Sequence, residues 1–201
     1  MQVVRLALLA CVLALAGCGK SPQLERLGPD DVVLAFGDSL TYGTGASEQE
    51  SCPAQLAQLI GRRVVGAGLP GEVSAHALER LPGALDEYSP RLLLLCIGGN
   101  DFLRRLGKQQ AAANVRAMVR LAKERRIDVV LIGTPEPGFT LTPPDFYAQI
   151  AAEFRIPYQS SVVGKVLRNP ELKSDPVHPN ASGYRIIAEQ LAELLQRSGA
   201  L

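Results

Sequence analysis

The chain has no tryptophan, its aromatic content is 5%, and only two histidines and four cysteines occur among its 201 residues. None of these histidines and cysteines stands at the paired spacing of a tetrahedral metal site, so no metal centre is expected. A surplus of one charge sign is missing too. The formal net charge is +1 and no Lys/Arg cluster is present, which leaves a phosphate backbone nothing to bind and excludes nucleic acid as a partner class. No apolar run reaches the ~20 residues needed to span a bilayer. What remains, 47% hydrophobic and 20% charged residues, suits one globular domain with a sizeable core.

The first apolar run, Leu6 to Ala16 behind Arg5, has the build of the hydrophobic region of a secretory signal. It ends in Leu15-Ala16-Gly17-Cys18, which resembles the lipobox of bacterial lipoproteins. That resemblance implies cleavage after residue 17 and lipid on Cys18. The mature chain would then sit on a bacterial envelope membrane, facing the periplasm, without crossing it. A plain secretory signal cut nearby is the alternative. Residues 18–30, with Pro22, Gly28 and Pro29, read as a tether, and residues 31–201 as the domain. Cys11 leaves with the signal, so only Cys52 and Cys96 fall in the domain, where they are expected as unpaired, small, buried hydrophobes.

From Asp31 onward strand and helix signals alternate, the pattern of a parallel sheet covered on both faces. Val32 to Phe36, bounded by Asp31 and Gly37, reads as a strand buried on both sides. Ser51 can cap a helix to about Ile60, Arg63 to Val65 is a short strand, and Ser74 can cap a helix broken at Pro82-Gly83 and resumed to Tyr88. Arg91 to Ile97 is a third strand, about Gln109 to Arg125 a long helix, and Ile127 to Ile132 a fourth strand. Gly133 to Pro144, with four prolines, is a loop long enough to suggest a substrate-facing role. Pro144 to Phe154 reads as helix, Ile156 to Tyr158 as a short strand, and Asn180 as the cap of a last helix ending near Arg197.

Polar residues collect where parallel strands end. Ser39 follows the first strand, Gly71 the second and Asn100 the third, and a parallel sheet brings those ends to one edge, where open α/β sheets bind ligands. Asp175 and His178 lie three residues apart in Asp-Pro-Val-His-Pro, a stiff turn in which a carboxylate can fix the imidazole tautomer and leave the other ring nitrogen free to take a serine proton. His76 falls inside a helix with no acid at matching spacing and is expected to be solvated or packed there.

Gly37-Asp38-Ser39-Leu40, Gly71, Gly98-Gly99-Asn100-Asp101 and Asp175 to Pro179 resemble, in order and spacing, the four motif blocks of the SGNH hydrolases, the GDSL esterase/lipase superfamily. Within it the chain is most similar to bacterial periplasmic thioesterases that are also lysophospholipases and arylesterases. The resemblance implies a three-layer α/β/α sandwich, flavodoxin-like, with about five parallel strands. It implies Ser39 as nucleophile, His178 as general base, Asp175 as its orienting acid, and Ser39, Gly71 and Asn100 as oxyanion donors. No metal or organic cofactor is implied, the partner being a small-molecule acyl ester and the enzyme a monomer. An O-acetyl esterase of envelope polysaccharide and a non-catalytic lipid- or glycan-binding lipoprotein are the alternatives. Two departures stand out: Gly66 occupies a position where the family often has Asn, which removes a brace of the oxyanion loop, and Pro70 precedes Gly71. Phe102, Leu103, Leu106, Phe139 and Leu141 are candidates for lining an acyl groove, or for packing against the sheet.

Overall fold

The computed structural model describes residues 22–201. The signal segment and Cys18 lie outside them. Thirteen regular elements follow in order: β1 (Val32–Gly37), α1 (Ser39–Tyr42), α2 (Cys52–Ile60), β2 (Arg63–Gly68), α3 (Ser74–Tyr88), β3 (Leu92–Cys96), α4 (Gly99–Leu103), α5 (Lys108–Glu124), β4 (Asp128–Ile132), α6 (Phe146–Phe154), β5 (Tyr158–Gln159), α7 (Val162–Arg168) and α8 (Ala181–Arg197). The strands form one sheet in the order β2-β1-β3-β4-β5, every neighbour parallel.

Successive strand residues point to opposite faces, and here each face has its own core. Val33 and Ala35 of β1, Leu92 and Leu94 of β3, and Val130 of β4 meet Leu56 of α2, Val163 of α7 and Leu191 of α8. Leu34, Phe36, Leu93, Leu95 and Val129 meet Leu81 of α3, Met118 of α5 and Ile150 of α6. The three-layer α/β/α sandwich is therefore dictated by strands with no polar face. Chain order reverses beside β1, with β2 on one flank and β3 on the other, so the crevice of an open α/β sheet opens at the carboxyl ends of β1 and β3.

Several local expectations are corrected. β2 runs to Gly68 rather than Val65, because its small residues allow close approach: a Cβ at Gly68 would lie 2.1 Å from the Tyr42 nitrogen. Ser74 does not cap α3. The cap position is Val73, and the Ser74 hydroxyl is turned to Asp101 instead. Helix α3 passes through Pro82 unbroken, its buried Leu81, Ala84 and Leu85 holding both halves on one face of the sheet. The last strand is Tyr158–Gln159, not 156–158, and α4 and α7 appear where no helix was expected. Cys52 and Cys96 are buried and free, as expected, and burial pushes the Cys52 thiol up to about 12.

Gly37 closes β1 where no side chain fits. A Cβ there would sit 1.8 Å from the Cys96 carbonyl oxygen and 2.6 Å from Thr41 Oγ1. Gly37→Ala is expected to cost about 3 kcal/mol or more through forced backbone displacement. In a domain of this size that lowers the thermal midpoint by roughly 10 °C, measurable by circular dichroism.

Candidate active site

Ser39 begins α1 directly beyond β1. The preceding Asp38 caps that turn, its Oδ1 accepting the Leu40 N–H at 3.1 Å. Asp38 is 2% exposed, and burial pushes its carboxyl up to about 7 against the lowering effect of the Leu40 N–H; repulsion from Glu72 and Asp101 acts in the same direction as burial.

Across the crevice, the segment ahead of α8 supplies the imidazole. An antiparallel bridge between Lys173 and Pro179 closes the turn, and Asp175 Oδ1 accepts the N–H groups of Val177 at 2.8 Å and His178 at 2.9 Å. The other carboxylate oxygen lies 2.7 Å from His178 Nδ1, and His178 Nε2 lies 2.9 Å from Ser39 Oγ. Burial opposes ionisation of Asp175, yet the His178 ring and the two N–H donors outweigh it and hold the carboxyl below the usual carboxylate range. Ser39 and the Asp175–His178 pair, separated by more than 130 residues in sequence, form one hydrogen-bonded chain. His76 is exposed on α3, away from this chain.

Gly71 and Asn100 face the same serine from the ends of β2 and β3, both lining one cleft with Ser39 and His178. Asn100 Nδ2 donates to the Glu72 carbonyl at 2.9 Å and comes within 3.5 Å of Asp38 Oδ2. Gly71 has φ +78°, a left-handed conformation suited to glycine, and Arg104 donates to its carbonyl at 2.7 Å.

A side chain of α3 ties down the end of β2. The Arg80 guanidinium donates to both Glu72 carboxylate oxygens at 2.8 and 2.6 Å and to the carbonyls of Ala67 at 3.1 Å and Gly37 at 3.3 Å, and it lies 4.0 Å from the centre of the Phe36 ring. One cation thus fastens the ends of β1 and β2 to Glu72, the residue that follows Gly71 and whose carbonyl accepts from Asn100. A second buried network fixes the next turn. Asp101 accepts the Ser74 N–H at 2.8 Å and hydroxyl at 2.6 Å, and Asn114 of α5 donates to that hydroxyl at 2.9 Å. The sequence gives no sign of this role for Arg80, which is one of many arginines until α3 is laid beside β2.

The cleft encloses about 230 Å³ and is walled by Leu40, Leu103, Leu141, Leu167 and Val177, with Pro135 and Pro137 of the long loop. Leu103 and Leu141 are therefore cleft residues as expected. Phe102 is not; its ring packs 6.3 Å from Phe146 against the core. Leu106 and Phe139 point to solvent, Phe139 completely. Leu167 was missed because it belongs to α7.

The chain is similar to known proteins. Residues 35–186 match the model of the GDSL-like Lipase/Acylhydrolase family. The chain is 30% identical over 179 residues to thioesterase 1/protease 1/lysophospholipase L1 of Escherichia coli K12, covering 85% of this chain and 86% of the relative. An arylesterase of Vibrio mimicus is 27% identical over 199 residues, 94% of this chain and 96% of its own. Among solved structures, the SGNH-hydrolase family esterase AlinE4 superposes with a TM-score of 0.67 at 29% identity, covering 86% of this chain and 98% of that one. The five-stranded sheet and the extent of these matches make this chain a member of the GDSL-like lipase/acylhydrolase family, the SGNH hydrolases, and an enzyme that hydrolyses ester bonds.

Proposed function

We propose that the protein is a serine esterase of short to medium acyl esters and thioesters, of the thioesterase, lysophospholipase and arylesterase kind. The observation that carries this reading is the Asp175–His178–Ser39 chain of hydrogen bonds at the edge of an apolar cleft.

His178 Nε2 takes the Ser39 proton as Oγ attacks the substrate carbonyl, and Asp175 stabilises the imidazolium through Nδ1. The carbonyl oxygen becomes an anion that the N–H groups of Ser39 and Gly71 and the amide of Asn100 receive. As the intermediate collapses, His178 returns its proton to the departing alcohol or thiol, leaving Ser39 acylated. Water, deprotonated by the same nitrogen, then attacks the acyl carbon, and the acid leaves as His178 restores the serine proton.

The size of the cleft bears on the acyl group. The cleft encloses about 230 Å³, below the ~300–1,000 Å³ of sites that bury drug-sized ligands, so a long acyl chain does not fit inside it. In hydrolysis of p-nitrophenyl esters, kcat/KM is expected to peak between butyrate and octanoate and to fall at palmitate. A maximum at palmitate would overturn this size argument, and activity on acetate alone would support a polysaccharide O-acetyl esterase. Failure of Ser39 to react with a fluorophosphonate probe would support a binding lipoprotein. Arg80→Met, which cuts the brace on the oxyanion loop without touching substrate, is expected to lower kcat about 10-fold with a smaller change in KM, read in the same assay.

The Leu15-Ala16-Gly17-Cys18 sequence supports a further part of this reading, in which Cys18 carries lipid and holds the enzyme on a membrane of the cell envelope, facing the periplasm.

A further inference from the structure

The start of the described chain lies at the opposite pole from the cleft. The Leu24 N–H donates to the Ser198 carbonyl at 2.8 Å and the Leu27 N–H to that of Ala200 at 2.9 Å, and the Leu27 side chain is buried in the core. Between them Glu25 donates its N–H to the Asp128 carboxylate at 2.8 Å and pairs with Arg91. Asp128 is the first residue of β4, and Arg91 precedes β3 and donates its N–H to Val32, the first residue of β1. Leu24 to Leu27, expected as part of a free tether, are instead a strap fixed to the amino edge of the sheet. Since all five strands are parallel, Ser39, Gly71 and Asn100 sit at the other edge.

Chain length then limits orientation. Cys18 precedes Leu24 by six residues, a stretch that spans at most about 20 Å when fully extended. A domain of this length is about 40 Å across. A ball of that diameter, held at one pole by a leash half as long, can lie on its side but cannot invert, and its far pole stays roughly 20 Å or more above the surface.

We infer that the enzyme, when lipidated at Cys18, turns its cleft away from the bilayer that anchors it and takes water-borne acyl esters rather than lipids resident in that bilayer. The inference rests on the lipoprotein reading and narrows the substrate class of the proposed esterase. A lipid of the anchoring leaflet becomes a substrate only after it desorbs.

The test uses the full chain, lipidated through its own amino-terminal segment and reconstituted in phosphatidylcholine/phosphatidylglycerol vesicles that carry a quencher on the lipid headgroup. Because Cys52 and Cys96 are buried, one introduced cysteine can take the fluorophore. Glu124→Cys places it at the end of α5 near the amino edge, and Phe139→Cys on the exposed loop whose Pro135, Pro137 and Leu141 wall the cleft. The vesicles are expected to quench the Glu124→Cys label several-fold more than the Phe139→Cys label. About twenty Gly/Ser residues inserted between Ser21 and Pro22, long enough to let the domain turn over, should raise quenching at position 139 while hydrolysis of a soluble p-nitrophenyl ester stays unchanged. Equal quenching of both labels in the chain of natural length would overturn the inference. Absence of quenching at both, with protein that does not float with the vesicles, would overturn it by removing the anchor, and retained ester hydrolysis would leave the esterase reading standing.

Discussion

Ser39→Ala is expected to lower kcat on p-nitrophenyl butyrate by about 10⁴- to 10⁶-fold, with the fold intact. The size follows from the position of Oγ at the head of a hydrogen-bonded chain. In the proposed mechanism its loss leaves His178 no hydroxyl to activate and closes the covalent route, so that only oxyanion donors and substrate binding act. Stability should change little, because Ser39 is partly exposed and, among the described residues, its hydroxyl is bonded only to the His178 ring. Turnover within about tenfold of the parent, with an unchanged thermal midpoint, would move the nucleophile elsewhere.

Asn100→Ala is expected to reduce kcat by about 10²- to 10³-fold, around 3 to 4 kcal/mol of barrier, with KM nearly unchanged. An oxyanion donor acts on charge that appears only in the transition state, so its loss falls on kcat. Asn100 is already held by the Glu72 carbonyl, and Glu72 in turn by Arg80, so the amide is set in place before substrate arrives. The same assay separates this from a binding role, which would raise KM and spare kcat. Binding of a phosphonate inhibitor that mimics the tetrahedral intermediate should weaken in step with kcat.

The layers of the fold were legible because Val32 to Phe36 and Leu92 to Leu95 have no polar face, and a strand buried on both sides requires helices above and below it. The residues that line the cleft were legible for a related reason. Glycine and proline around Ser39, Asn100 and His178 punctuate the chain at the ends of elements, where a parallel sheet gathers its loops. Pro82 misled, since its local tendency to break a helix was outweighed by packing of Leu81, Ala84 and Leu85 against the sheet. Phe102 and Leu103 could not be separated by spacing, because adjacent residues on α4 face the core and the cleft respectively.

The sequence by itself determined the alternating sheet and helix layers, the residues at the strand ends and the four motif blocks, all of which are local patterns of polarity, small residues and spacing. Tertiary structure alone decided which distant groups meet. The 2.9 Å approach of His178 to Ser39, the Arg80 clamp on the ends of β1 and β2, and the docking of Leu24 to Leu27 at the edge opposite the cleft arise from how helices and strands far apart in sequence pack. A one-dimensional pattern carries no record of those distances until the two cores close around the sheet.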